Sequence, residues 1–232
     1  MNIDILTDDQ VAQLSHLIST SQNIVITCHR SPDGDAIGSS LGLAAFLWSK
    51  GKEVSIIVPD QFPDFLLWLP NTEKITRYDK HPGKCDMLLK IADLVFCLDY
   101  NTLSRLGDLE PAVRNSNTPL VLIDHHLDPD VPAVLTVSHP EACSTCELIF
   151  RVVCQLGGFE KQTKHFAAPI YCGMMTDTGG FTYNSSSPDI YYIISQLLTK
   201  GINKDRIPAK VAQFRPRGPG VISAIATMSE TS

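Results

Sequence analysis

The apolar residues of this chain form two kinds of segment, which alternate along most of its length. Short continuous apolar runs have the length of buried strands, and longer stretches repeat apolar residues every three or four positions, as amphipathic helices do. Strands that alternate with helices indicate an α/β fold, with a mostly parallel five-stranded sheet covered by helices on both faces. We predict strands at residues 23–28, 53–59, 93–100 and 119–126, and an edge strand at 133–139. We predict helices at residues 7–20, 35–50, 144–156, 162–175 and 188–200.

The last part of the chain lacks this pattern. Residues 201–232 mix proline, glycine and arginine and end in small residues without clear periodicity. A chain of 232 residues is long for one domain and short for two large ones, so one α/β domain with an additional piece is expected. We therefore assign residues 1–200 to one domain and residues 201–232 to a linker and chain end.

The composition limits the partners of this domain. A formal net charge of −6 without a basic stripe argues against binding to long duplex nucleic acid. A small anionic substrate stays compatible with this charge, because bound metal cations can invert the local sign. The longest apolar runs are about a strand long, and the first residues lack a signal-peptide pattern, so we expect neither a membrane partner nor export. Seven cysteines, an odd number, then fit a reducing cytoplasm.

Aspartates and histidines lie at the ends of three predicted strands. Because the carboxyl ends of parallel strands share one edge of a sheet, these side chains can converge although they are far apart in the sequence. Crowded carboxylates repel one another unless a cation lies among them, and a mixed carboxylate and imidazole set suits Mn²⁺, Mg²⁺, Fe or Zn²⁺. The set is large enough for two ions. It comprises His29, Asp33, Asp35, Asp99, Asp124, His125 and His126, together with Asp177, which follows an apolar helix.

Each of these residues also has an ordinary structural explanation. Asp33 and Gly34 form a common turn sequence, and any one of the aspartates is compatible with a turn or a helix cap. His125 alone is compatible with a half-buried structural histidine. These explanations do not account for the recurrence of the same residue types at one edge of the predicted sheet.

The segment Cys143-Ser-Thr-Cys146 has the cysteine spacing of redox and zinc motifs. A structural zinc site usually needs two further ligands nearby in the sequence. Ser144 followed three residues later by Glu147 is instead the pattern of a capping box at a helix start. The capping interpretation is therefore favoured, and the role of the two thiols stays open.

Four motifs occur in an order that is typical of a known family. They are HRSPDGDAIGS at 29–39, CLDYNTLSRLG at 97–107, IDHH at 123–126 and GMMTDTGGF at 173–181. From about residue 10 to about residue 200, the chain thereby resembles the N-terminal catalytic domain of the DHH phosphoesterases. The second and fourth motifs are most similar to those of the nano-RNases and adenosine 3′,5′-bisphosphate phosphatases.

The resemblance implies a pair of metal sites. Asp99 would bridge two cations and thereby serve catalysis directly. Two Mn²⁺ ions are expected, with Mg²⁺ as a possible replacement. The remaining ligands would be His29 and Asp33 for one ion, and Asp35, His125 and Asp177 for the other.

The resemblance also implies roles outside the metal ligands. His126 would face the substrate phosphate or the leaving oxygen, and Asp124 would lie behind the histidines as an acceptor that orients an imidazole. Arg105 would contact either a substrate phosphate or only the surface of a helix.

The implied activity is hydrolysis of short oligoribonucleotides or nucleotide 3′-phosphates by two-metal activation of a bridging water. The same motifs also suit an inorganic pyrophosphatase or exopolyphosphatase. Family members of this type carry a C-terminal substrate-binding domain with a glycine-rich motif ending in histidine, which we do not find in this sequence. A chain that binds metal but has weak catalysis, or only a binding role, is the third possibility. A homodimer is also compatible with the sequence.

Overall fold

The computed structural model describes residues 3–207 and residue 211. Its strands are β1 Asn23–Cys28, β2 Glu53–Val58, β3 Ile75–Arg77, β4 Leu94–Leu98, β5 Leu120–Asp124 and β6 Leu135–Ser138. Its helices are α1 Asp8–Thr20, α2 Gly34–Ser49, α3 Pro82–Ile91, α4 Glu110–Asn115, α5 Thr145–Gln155, α6 Lys164–Asp177 and α7 Pro188–Leu198. Short 3-10 segments lie at Asp64–Leu66, Thr72–Lys74, Leu103–Leu109 and Phe159–Lys161.

The strands form one sheet in the order β3-β2-β1-β4-β5-β6, and every neighbouring pair is parallel. The predicted α/β fold is confirmed, and β6 is an edge strand as expected. The sheet has one strand more than the five predicted, because β3 is only three residues long and carries no recognisable apolar run. Helices α3 and α4 were also missed. Both are short, and the apolar face of α3 is narrow.

Helices cover both faces of the sheet. Alternate residues of β1 point to opposite faces, as the period of a strand requires: Ile24 and Ile26 join the larger core, and Val25 joins the smaller one. The larger core contains the buried faces of α1, α2, α5, α6 and α7. The smaller core contains α3, α4 and the segment after β4. The strands between them are buried on both sides, which explains their continuous apolar sequences.

The order in which the strands are connected creates a crevice at the carboxyl edge of the sheet. From β1, the chain continues to β2 on one side, whereas β4 pairs with β1 on the other side. Ligands bind at such a switch point in open α/β sheets, because the loops leaving the two strands diverge there. The loops that follow β1 and β4 carry two of the four sequence motifs.

Glycines bring α2 unusually close to α6. A Cβ added to Gly34 would lie 2.1 Å from the hydroxyl oxygen of Thr176, and one added to Gly38 would lie 2.5 Å from the carbonyl oxygen of Pro169. Neither position therefore accepts a larger side chain without movement of a helix. This close approach sets the N-terminus of α2 beside the C-terminus of α6, and with it Asp35 beside Asp177.

Of the predicted linker, residues 201–232, the structure describes residues 201–207 and residue 211. The rest of the linker lies outside the described residues. The domain boundary at residue 200 thus stays a prediction. Within residues 3–207, no helix is both long and apolar enough to span a membrane.

Candidate metal centre

The predicted ligands meet at the carboxyl edge of the sheet. His29, Asp99 and His125 directly follow strands β1, β4 and β5, since each strand ends one residue earlier. Asp33 is the N-cap of α2, and its Oδ1 accepts hydrogen bonds from the N–H groups of residues 35 and 36 at 2.9 and 3.0 Å. The complete predicted set, His29, Asp33, Asp35, Asp99, His125 and Asp177, falls into clusters whose ligand atoms lie within 4.8 Å of one another.

One part of the site, here called the outer group, consists of His29 and Asp33. His29 Nε2 lies 3.4 Å from Asp99 Oδ2 and 3.9 Å from Asp33 Oδ1. The other ring nitrogen, Nδ1, lies 2.8 Å from the carbonyl oxygen of Arg30 and can donate its hydrogen there. This hydrogen bond selects the tautomer in which Nε2 is free to bind a cation.

The second part of the site, here called the inner group, consists of Asp35, His125 and Asp177. His125 Nε2 lies 3.8 Å from Asp35 Oδ2 and 3.6 Å from Asp177 Oδ2. Its Nδ1 faces the carbonyl oxygen of Ala142 at 3.3 Å. As in the outer group, the imidazole is anchored through Nδ1 and presents Nε2 to carboxylates.

Asp99 lies between the two groups. Its Oδ2 faces His29 of the outer group, and its Oδ1 is 3.6 Å from His125 Nε2 of the inner group. The side chain is only 2% exposed. The backbone of Asp99 has a φ of 64°, a left-handed conformation that non-glycine residues rarely adopt and that is common at functional sites. This geometry suits the bridging role that the family resemblance implies.

His126 and Asp124 form a pair beside the bridge. His126 Nδ1 donates a hydrogen bond to Asp124 Oδ1 at 2.7 Å, and Asp124 is fully buried. The contact with Asp124 raises the pKa of His126, against the opposing effects of burial and of the positive charge of Arg105. The His126 side chain is 40% exposed, so Nε2 can reach a molecule in the crevice.

The carboxylates of the site repel one another. Burial, reinforced by Asp99 and Asp177, raises the pKa of Asp35 well above its usual range. Burial also raises the pKa of Asp177 to about 6; the charge of His125 opposes this shift, and the charges of Asp99 and Asp33 add to it. Burial pushes the pKa of Asp99 upward too, but the hydrogen bond and charge of His29, together with the charges of His125 and His126, lower it overall. A bound cation would relieve this repulsion.

The donor set fits a pair of divalent cations. It consists of carboxylate oxygens and imidazole nitrogens, which suit Mn²⁺ and related ions. The nearby thiol of Cys146 is directed to the backbone carbonyl oxygen of Asp35 at 3.6 Å, and burial raises the pKa of this thiol well above its usual range. A thiolate ligand is therefore not part of the arrangement.

Sequence reasoning missed the contribution of the α5 N-terminus. The N–H groups of Thr145 and Cys146 donate to Asp35 Oδ2 and Oδ1 at 2.6 and 2.8 Å, and the hydroxyl of Thr145 donates to Asp99 Oδ1 at 3.0 Å. The capping pattern around Ser144 predicted a helix start here. Nothing in the sequence indicated that this start faces an aspartate 110 positions earlier.

The helix cap predicted at Ser144 is confirmed, but the return contact from Glu147 is shifted by one residue. The Ser144 side chain accepts from the N–H of Glu147 at 3.1 Å, but Glu147 Oε2 accepts from the N–H of Cys143, one residue before the cap. Both cysteines are buried free thiols.

Arg105 lies at the rim of the site. Its backbone carbonyl accepts a hydrogen bond from the N–H of Arg30 at 2.8 Å, which joins the loops after β1 and β4. The side chain is exposed, and its charge acts on His126. A contact with a substrate phosphate stays a prediction.

Comparison with known proteins agrees with this geometry. The model of the DHH family, N-terminal domain, matches residues 23–174. An exopolyphosphatase-related protein from Bacteroides fragilis superimposes with a TM-score of 0.88 and 47% sequence identity, over 91% of this chain and 64% of that chain.

Two further relatives carry enzyme names. The bifunctional oligoribonuclease and PAP phosphatase NrnA of Thermus thermophilus is 31% identical over 197 residues, or 83% of this chain and 54% of that protein. A probable bifunctional oligoribonuclease and PAP phosphatase NrnA of Streptococcus mutans is 28% identical over 207 residues, or 85% of this chain and 61% of that protein. The chain thus spans less than two thirds of the length of each of these relatives.

Proposed function

The chain belongs to the DHH family, and we propose that it is a metal-dependent phosphoesterase acting on short oligoribonucleotides or nucleotide 3′-phosphates. The observation that carries the proposal is the convergence of the outer and inner groups on the buried carboxylate of Asp99. The names of the Thermus and Streptococcus relatives support this choice of substrate class. Residues 1–200 would form the catalytic domain.

The proposed cofactor is a pair of Mn²⁺ ions, with Mg²⁺ as the alternative. His29, Asp33 and Asp99 would hold one ion, and Asp35, His125, Asp177 and Asp99 would hold the other. When bound, two such cations would lower the pKa of a water molecule and stabilise the attacking and leaving oxygens of an in-line displacement at phosphorus. Mixed carboxylate and imidazole donors favour Mn²⁺ over Mg²⁺, which is usually bound by oxygens alone.

His126 is proposed to act on the substrate itself. Its Nδ1–H is held by Asp124, so the ring keeps a fixed orientation and directs Nε2 into the crevice. The raised pKa of His126 keeps Nε2 protonated to a higher pH than in an ordinary histidine. A proton at Nε2 can hydrogen-bond a phosphate oxygen or pass to the leaving oxygen. Asp124 then acts through His126 as a positioning residue.

Arg105 is proposed to bind a substrate phosphate. The crevice is lined by carboxylates, and the net charge of the chain is −6, so a positive group at the rim would add to the attraction that the cations exert on an anionic substrate. Arg105 is exposed at the rim and close enough to His126 to influence its pKa. An arginine can grip a phosphate through two parallel hydrogen bonds.

A second candidate function is hydrolysis of pyrophosphate or polyphosphate. The Bacteroides neighbour, which is 47% identical, is described as exopolyphosphatase-related. Phosphoanhydride and phosphoester hydrolysis both proceed by attack of water at phosphorus, so the same ligands serve either reaction. The two functions differ only in what lies beyond the reacting phosphate.

The test is a comparison of substrates with the chain loaded with Mn²⁺. We expect faster hydrolysis of two- to five-nucleotide RNA or of adenosine 3′,5′-bisphosphate than of pyrophosphate or polyphosphate. The reverse order would replace the first proposal by the second. Bound Mn²⁺ without hydrolysis of any of these substrates would contradict both and favour a binding role.

The cytoplasm is the proposed location. All seven cysteines are free thiols, a state that a reducing compartment maintains.

A further inference from the structure

The N-terminus of α5 contacts two of the carboxylates that would hold the cations. Thr145 makes two of these contacts. Its backbone N–H donates to Asp35 Oδ2 at 2.6 Å, and its hydroxyl donates to Asp99 Oδ1 at 3.0 Å. Thr145, Asp35 and Asp99 are all at most 2% exposed, so water does not compete for these hydrogen bonds.

Both contacts of Thr145 lie on the side of the inner group. Asp99 Oδ1, which accepts from the hydroxyl, is the oxygen that faces His125, whereas Asp99 Oδ2 faces His29 of the outer group. Asp35 Oδ2, which accepts from the N–H, is also the oxygen that faces His125. Thr145 therefore contacts ligand oxygens of the inner group and leaves the outer oxygen of Asp99 free.

The first turn of α5, which carries Thr145, is itself held firmly. The side chain of Ser144 caps α5 by accepting from the N–H of Glu147, and Glu147 Oε2 accepts from the N–H of Cys143. Glu147 also forms an ion pair with Arg151 at 2.7 Å, in which both side chains are almost completely buried. The first turn of α5 thus has little freedom to follow a moving carboxylate.

We propose that Thr145 is a positioning residue that fixes the rotation of the Asp99 carboxylate, so that Oδ1 serves the inner cation and Oδ2 serves the outer one. The terminal torsion of an aspartate is broad, and without a donor the two oxygens can turn away from both cations. A hydroxyl donor at 3.0 Å restricts this torsion. The inference rests on the proposed two-cation site, and it adds a residue that lies outside the ligand set.

The inference predicts that loss of the hydroxyl weakens one cation more than the other. The test is Mn²⁺ titration of the metal-free protein by calorimetry. An Asp33→Asn background leaves the inner ion to be measured, and an Asp177→Asn background leaves the outer ion. In the first background, Thr145→Val should weaken Mn²⁺ binding by about 10-fold or more, as loss of a partner to a metal ligand usually does. In the second background, the same change should alter the affinity by less than about 3-fold, because the oxygen that faces the outer group loses no donor.

Two further variants separate positioning from general damage to the fold. Thr145→Ser keeps the hydroxyl and should restore inner-ion affinity to within about 3-fold of the parent. Thr72 is a matched control, because it is also a buried threonine, and its hydroxyl donates to the carbonyl oxygens of Leu67 and Leu69, outside the site. Thr72→Val should leave both affinities unchanged. Circular dichroism checks that each variant is folded, and Thr145→Ala replaces Thr145→Val if the valine variant does not fold.

Equal weakening of both ions by Thr145→Val, or no weakening of the inner ion, would overturn the inference. Failure of Thr145→Ser to restore binding would also overturn it. If the affinities change as expected but the parent hydrolyses no phosphoester, the proposed activity is wrong and the positioning role stands. If the parent binds no Mn²⁺, both are wrong.

Discussion

Asp33 and Asp35 lie two residues apart in the same motif, yet their surroundings differ in almost every respect. The Asp33 side chain is 57% exposed, and one of its oxygens already accepts two hydrogen bonds as the cap of α2. Asp35 is 1% exposed, and each of its oxygens accepts an N–H from α5. One short motif therefore places a solvent-accessible carboxylate in the outer group and a buried, oriented carboxylate in the inner group.

This difference has a consequence for the two cations. The inner ligands are already held in place by α5 and by the close packing of α2 on α6, so binding there requires less ordering. The outer group depends on a side chain that water solvates. We therefore expect the inner cation to bind more tightly than the outer one, with Asp99 common to both.

The largest effect is expected from Asp99→Asn, which removes the charge shared by the two groups. Turnover should fall by more than about 100-fold, because loss of a mere partner to a metal ligand already costs about 10- to 100-fold. The measurement is hydrolysis of the preferred substrate with saturating Mn²⁺. Asp64→Asn, at an exposed position outside the site, serves as control and should leave the rate unchanged. A rate above a tenth of the parent rate would show that Asp99 is not the bridge.

A second effect is expected when the packing that serves the inner group is disturbed. Gly34→Ala brings a Cβ to 2.1 Å from Thr176 Oγ1 and should destabilise the fold by about 1–3 kcal/mol, as overpacking does. Urea unfolding measures the change. Gly83→Ala, also within a helix but with nothing within 4 Å of the added Cβ, is the matched control and should be neutral or stabilise by about 0.5–1 kcal/mol. Equal effects of the two substitutions would refute the packing argument.

Asp33→Asn and Asp35→Asn separate the two cations directly. In a Mn²⁺ titration of the metal-free parent, we expect two binding steps whose affinities differ by about 10-fold, a range typical for the effect of oriented partners on metal ligands. Asp35→Asn should remove the tighter step, and Asp33→Asn should remove the weaker step. Loss of the tighter step in Asp33→Asn would reverse the assignment of the two groups.

The smallest effect is expected from pH and acts through Asp177 of the inner group. Its pKa is raised to about 6 by burial and by neighbouring carboxylates, so protonation should weaken the inner cation by about twofold between pH 7 and pH 6. Calorimetry at the two pH values measures this change. An inner-ion affinity that is the same at the two pH values would contradict this expectation.

Protonation of Asp177, which should weaken binding of the inner cation, should stabilise the metal-free fold. Because its pKa is higher in the folded protein than the ordinary 3.8, the folded state binds the proton more tightly than the unfolded state. This contribution to stability is present in full below about pH 4 and is lost as the pH rises through about 6. The difference in unfolding free energy between the parent and Asp177→Asn should follow that course, and a pH-independent difference would contradict it.

The comparison between the two groups also marks the limit of prediction from sequence. The six residues predicted as ligands do come together, since each lies beside the end of an apolar strand or helix within a recognisable motif. Their binding of metal stays a prediction. The tripeptide β3 was missed because three residues carry no periodicity. The role of Thr145 was missed for a different reason: a helix cap is a local signal, whereas the bonds to Asp35 and Asp99 depend on how α5 docks against the edge of the sheet. The burial of Asp35 rather than Asp33 likewise depends on how α5 docks, and the sequence did not indicate it.

The most direct test of the account is a crystal structure at increasing Mn²⁺ concentration, with the ions located by anomalous scattering. We predict two peaks about 3.5–4 Å apart at high concentration, the usual spacing of a two-metal site. Asp99 should lie between them, with the peak beside Asp35, His125 and Asp177 appearing at the lower concentration. A single peak, or two peaks of which either does not contact Asp99, would contradict the account.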